Sequence, residues 1–119
     1  MSDLRDQEVR TLSRIPETYN LKPPTALLDA ITEIVRAAFS GNLSVHYRVG
    51  TGCAVAMLYH CGFDAVVWDR GDTVSVGIEL TNKNQDTFAK LLRNFDIANP
   101  ASTPEAIAEI AIVLLTPND

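Results

Sequence analysis

Apolar residues recur along the chain with two different periods, and the changes of period divide it into elements. The clearest helical stretch is TALLDAITEIVRAAFSGN, residues 25–42. Leu27, Leu28, Ile31, Ile34, Val35, Ala38 and Phe39 fall at the i, i+3, i+4, i+7 spacing that lines one side of an α-helix. Pro24 and Thr25 precede the run, and Gly41 stands where a helix commonly takes its terminal glycine. Asp29, Thr32, Glu33 and Arg36 make up the opposite, polar face.

Residues 43–80 switch to a period of two. LSVHYRV alternates, with Leu43, Val45, Tyr47 and Val49 on one side and Ser44, His46 and Arg48 on the other, as a half-buried strand does. CAVAMLYH reads as a second strand, apolar on both faces, and AVVWD as a third. In the fourth, TVSVGIEL, Val74, Val76, Ile78 and Leu80 point inward while Thr73, Ser75 and Glu79 point outward. Gly50-Thr51-Gly52, the CGFD stretch and Arg70-Gly71-Asp72 are turns, and links this short join antiparallel neighbours.

Beyond residue 80 the helical period returns. In TNKNQDTFAKLLRNFD, Phe88, Leu91, Leu92 and Phe95 form a helical stripe with Thr81 or Asn84 as the cap. In STPEAIAEIAIVLL, Ser102 or Thr103 is the cap, Pro104 sits near the first helical position and Glu105 in the first turn. Ile107, Ile110, Ala111 and Leu114 share a face there, and Ile112, Val113 and Leu115 leave little polar surface. A strand over residues 106–115 is the alternative; length and capping favour a helix. At the other end, SDLRDQEVRTLSR predicts a short helix capped by Ser2 and ended by Pro16, with the thin apolar face of Leu4, Val9, Leu12 and then Ile15. ETYNLKPP then reads as a linker anchored by Tyr19 and Leu21. The expected architecture is a single α+β domain over residues 1–119. It has a four-stranded antiparallel β-meander at residues 43–80, flanked by two N-terminal and two C-terminal helices. Residues 1–22 form a loosely docked helix and linker in this reading.

Composition narrows the function classes. The 119 residues are 46% hydrophobic, enough for one compact core that needs neither disulfide nor metal to fold. Net charge is −5, and the ten basic residues are scattered, so the basic face that phosphate binding requires is missing and nucleic acid is not an expected partner. The first twenty residues carry charge throughout and lack an apolar signal region, and no apolar run approaches the length of a membrane span. With two cysteines the chain is not a disulfide scaffold, and the default location is cytoplasmic.

Candidate chemistry concentrates in TGCAVAMLYHCGFD, residues 51–64, which holds both cysteines and His60. A hairpin centred on Thr51 would place Cys53, Val55, Met57, Tyr59 and Cys61 on the face of Leu43, Val45, Tyr47 and Val49. Ala54, Ala56, Leu58 and His60 would share the opposite face with Ser44, His46 and Arg48. His60 and Cys61 then point to opposite sides, and Cys53 and Cys61 lie roughly 26 Å apart along an extended strand. Neither a disulfide nor a shared metal is expected, and the cysteines read as small buried apolar residues. No cofactor motif is present: Gly50-Thr51-Gly52 lacks the spacing of a phosphate loop.

Five residues stand out as binding candidates: His46, Arg48, His60, Trp68 and Arg70. A shallow pocket on the polar sheet face could use His46 as a general base and Arg48 as an anion anchor. Trp68 is a core residue if its face is covered and a binding anchor beside Arg70 if it is not. No nucleophile or carboxylate pair joins them at a recognisable spacing, so a non-catalytic protein-interaction module is the expected class. It would act as an inhibitor, immunity-type protein, chaperone or adaptor. In size and charge the chain resembles small acidic type III secretion chaperones and bacterial immunity proteins, a likeness of class that assigns no residue a role. Its acidic balance suits a partner with a basic surface, and its surplus apolar surface suits a second copy of the chain. The alternatives are a small enzyme or ligand-binding protein using the His46/Arg48 face, or a structural subunit of a larger assembly.

Overall fold

A computed structural model describes residues 9–11, 19–20, 22–81, 83–84 and 87–117. The elements are β1 (Val9–Thr11), β2 (Tyr19–Asn20), α1 (Ala26–Ala38), β3 (Ser44–Gly50), β4 (Cys53–His60), β5 (Phe63–Asp69), β6 (Thr73–Thr81), β7 (Thr87–Asp96) and α2 (Pro104–Leu115). The class is α+β, built on an antiparallel sheet. Five long strands, β3 to β7, follow one another as a meander, and the short β1 and β2 extend its edges in the order β1-β7-β6-β5-β4-β3-β2.

The period-two segments form the expected strands, and α1 and α2 form the expected helices. Thr25 caps α1 by accepting from the Leu28 N–H at 3.1 Å, and Gly41, at φ +84°, closes its far end by donating to the Arg36 carbonyl at 2.9 Å. Thr103 caps α2 in the same way, accepting from the Ala106 N–H at 3.1 Å, with Pro104 opening the helix. One side-chain expectation for α1 fails. Thr32 is fully buried, donating to the Leu28 carbonyl and meeting the Tyr47 hydroxyl at 3.1 Å, so this polar residue ties α1 to β3 instead of facing solvent.

Two larger expectations are overturned. Residues 87–96, read as a helix, are strand β7, paired along its length with β6. The pairing skips a residue: Arg93 lies opposite Val76, whereas Leu91 lies opposite Gly77, so Leu92 is the extra residue of a β-bulge. Because the bulge inverts the alternation, Ala89 and Leu91 are buried on one sheet face and Phe95 on the other. Apolar residues spaced this way imitate a helical stripe. At the N-terminus, Val9–Thr11 pair with β7 as a strand and not as part of a helix, and Tyr19–Asn20 pair with β3 and not as a linker. The remainder of that predicted helix, its Ser2 cap and Leu21 lie outside the described residues. Among the described residues there are therefore five long strands and two helices, where four strands and four helices were expected of the chain.

The hairpin register also differs by one residue. The β3–β4 turn is the pair Thr51-Gly52, with Gly52 at φ +70°, so Gly50 sits opposite Cys53 and even residues of β3 face odd residues of β4. Tyr47 consequently joins Ala54, Ala56 and Leu58 on the helix-bearing face. There they pack with Leu28, Ile31, Val35, Val67, Val76, Ile107 and Leu115 into the main core. The opposite face carries a smaller buried cluster: Val55, Met57, Val66, Trp68, Ala89 and Leu91. A one-residue shift moves every side chain of a strand across the sheet, which is why the register decides what each face presents.

Candidate functional site

The register separates the candidate residues. His46 and Arg48 lie on the face of the smaller cluster, opposite Met57 and Val55 respectively. His60 lies on the helix-bearing face at the far end of β4. There it stacks on Phe39 with ring centroids 4.0 Å apart, and its Nδ1–H donates to the Asn42 carbonyl at 2.7 Å. The two histidines are on opposite sides of the sheet, so the shared pocket expected of His46, Arg48 and His60 is not formed. Trp68 is 6% exposed and packs within the smaller cluster. Arg70 holds its guanidinium 5.8 Å from the Trp68 ring centroid, a cation–π contact at the rim of that cluster.

The cysteines likewise stand apart. Cys53 is half-buried at the start of β4, and Cys61 is exposed in the turn beyond the end of that strand, at φ +50°. The expectation of two buried cysteines thus holds for neither completely. Among the described residues no group of three or more His, Cys, Asp or Glu side chains is placed to hold a metal ion. Among them too, no helix is long and apolar enough to cross a membrane.

Tertiary pairing gathers polar groups that the sequence pattern did not. Tyr59 lies opposite Asp64, and its hydroxyl donates to the Glu79 carboxylate at 3.2 Å, while the Glu79 N–H donates to Asp64 at 3.2 Å. Burial raises the Tyr59 phenol above its ordinary pKa, the Glu79 charge and hydrogen bond and the Asp64 charge raise it further, and Arg48 opposes them. His46 meets the Tyr59 ring edge-on, with centroids 5.7 Å apart. This group forms a hydrogen-bonded border at one end of the smaller cluster.

Two surface features remain. The first is an apolar row at the end of the sheet where β4 turns into β5. Phe39 stacks on His60, His60 lies opposite Phe63, and the Asp64–Glu79 hydrogen bond brings the start of β5 beside the end of β6, where Leu80 shares that face. Phe63 is 39% exposed and Leu80 41%, and on α2 Val113 is 64% exposed. The second is a cavity of about 630 Å³ at the opposite end, where the start of α1 meets the β3–β4 and β5–β6 turns. Pro24, Leu27, Val49, Ala54 and Ile97 supply its apolar wall. Asp69, 5% exposed, lines it while accepting from the Thr25 hydroxyl and the Gly71 N–H, both at 2.8 Å. Thr25 and Asp69 are separated by 44 residues, and nothing in either local sequence marks them as partners.

Comparison of the chain with protein-family models, with curated proteins and with solved structures finds no significant match.

Proposed function

We propose that this protein is a non-catalytic interaction module that works by binding another protein, either a second copy of itself or a partner with a basic surface. The observation that carries this reading is the row Phe39–His60–Phe63–Leu80. Large apolar side chains lie on the helix-bearing face where they are only partly covered, with Phe63 and Leu80 each more than a third exposed. Exposed apolar residues gathered at one edge of a small sheet are what an interface core needs, since aromatic anchors contribute most of the binding energy there. The net charge of −5 favours encounter with a basic surface.

The test is light scattering on the purified protein together with affinity capture, repeated with the double substitution Phe63→Ser, Leu80→Ser. A dimer or a bound protein held by the wild type and lost in the variant supports the proposal. A wild-type monomer that captures nothing the variant does not also capture overturns it. The enzyme reading draws less support, because His46 and His60 occupy opposite faces of the sheet.

A further inference from the structure

We infer that the cavity at the start of α1 receives a lysine side chain of a partner protein, its methylene stem against the apolar wall and its ammonium on Asp69. The inference rests on the reading of the chain as an interaction module and names the chemistry that one of its contacts would recognise.

Three observations converge on this occupant. The cavity, about 630 Å³ in volume, is ample for a lysine side chain. Leu27, Val49 and Ile97 offer apolar contact suited to a flexible hydrocarbon stem. Asp69 is buried, and its recorded partners are a neutral hydroxyl and a backbone N–H, with no cation bonded to it among the described residues. Those two bonds fill about half of the four acceptor positions a carboxylate offers. Arg70 also lines the cavity, but its guanidinium lies over Trp68, 5.8 Å from that ring's centroid, and not on Asp69. A carboxylate in an apolar cavity gains most from a charged donor, because low local dielectric strengthens the pairing. An anionic ligand would instead be repelled by Asp69, and a purely apolar one would leave its remaining acceptor positions unused.

The probe is a blocked tripeptide, acetyl-Ala-Lys-Ala-amide, titrated into isotopically labelled protein and followed through backbone amide shifts. A matched peptide with norleucine in place of lysine keeps the stem and removes the ammonium. The expected result is saturable shifts at Leu27, Val49, Gly52 and Gly71, with binding at least roughly tenfold weaker for the norleucine peptide, as loss of a charge-assisted hydrogen bond implies. Asp69→Asn should weaken lysine binding by a similar factor. Because Asp69 also anchors the turn and the start of α1, Val49→Trp is the second variant: Val49 lines the cavity and is 37% exposed, so the larger ring crowds the space where the lysine stem would lie. Equal binding of the two peptides, no shifts at the cavity, or undiminished binding to Val49→Trp each overturns the inference. A partner protein that Val49→Trp still binds as tightly as the wild type also overturns it while leaving the interaction-module reading intact. A wild type that binds the lysine peptide but stays monomeric and captures no protein overturns the interaction-module reading, and the partner-protein lysine with it, leaving only a site for free lysine.

Discussion

The two faces of the sheet are built from the same strands and do different work. The helix-bearing face is largely aliphatic, and two polar links tie the start and middle of α1 to it: Thr25 to Asp69 of β5 and Thr32 to Tyr47 of β3. The other face has a short apolar centre, Val55, Met57, Val66 and Trp68. Its border is polar: Tyr59 with Glu79 at one end, Ser75 donating to Asn94 at the other. One face gains its stability chiefly from area removed from water, which is non-directional. The other adds hydrogen bonds, whose geometry depends on register. A slip of one residue would exchange the two environments and leave both faces with polar groups buried and apolar groups exposed.

The contrast breaks most completely at Gly77, which sits on the polar-bordered face opposite the bulge. A Cβ there would lie 1.9 Å from the Lys90 carbonyl oxygen and 2.8 Å from the Leu91 Cα, both backbone atoms that cannot move without displacing β7. Gly77→Ala should therefore cost more than about 4 kcal/mol, or abolish cooperative urea unfolding, which places it in the exceptional tail of single substitutions. A milder result would show that β7 can slide out of its bulge.

Neighbouring residues sharpen the comparison. Leu58 and Met57 are adjacent in β4 but face the large and small clusters respectively. Denaturant unfolding of Leu58→Ala should show a loss of about 3–4 kcal/mol, and of Met57→Ala nearer 2 kcal/mol, the flexible thioether leaving a cavity that its neighbours refill more easily. Equal losses would mean that the two faces are packed to the same standard.

The smallest effect is expected at the border. Tyr59→Phe should cost about 1 kcal/mol or less near neutral pH, the usual net worth of one hydrogen bond. Its signature is the pH dependence. The folded-state pKa of Tyr59 is raised above its ordinary value of 10.0, so the folded protein holds the phenolic proton more tightly than the unfolded chain does. That stabilisation is complete below about pH 10 and declines as pH rises from there toward the folded-state value. Alkaline unfolding curves of wild type and Tyr59→Phe should therefore converge as pH increases above 10, and curves that stay parallel would remove the phenol from the account.

Much of the fold was legible because its signals are local. The helical stripe from Leu27 to Phe39, its Thr25 cap and Gly41 all act within a few residues, as do Thr103 and Pro104 for α2. The alternation from Ser44 to Leu80 and its tight turns made β3 to β6 visible. Misreading began where distant pairing overrules local pattern. In β7 the residues Ala89, Lys90, Leu91, Leu92 and Arg93 favour helix by propensity, yet β6 and β1 on its two sides satisfy its backbone as a strand, and the bulge at Leu92 hides the alternation.

The candidate sites were less visible still. Sequence singled out His46, Arg48, His60, Trp68 and Arg70 by residue type, but a turn of two residues rather than three put His60 on one face and His46 on the other. Trp68 became core. The Phe63–Leu80 row and the pairing of Thr25 with Asp69 joined residues 17 and 44 positions apart, beyond the reach of any periodicity. By itself, then, the sequence determined the α+β class, the meander strands β3 to β6 and helices α1 and α2, because hydrophobic period, caps and turns act over a few neighbouring residues. The tertiary structure alone decided the edge strands, the bulge, the register, and with the register the composition of each face. Those depend on which backbone groups and apolar surfaces find partners across the sheet, and a linear pattern does not record that choice.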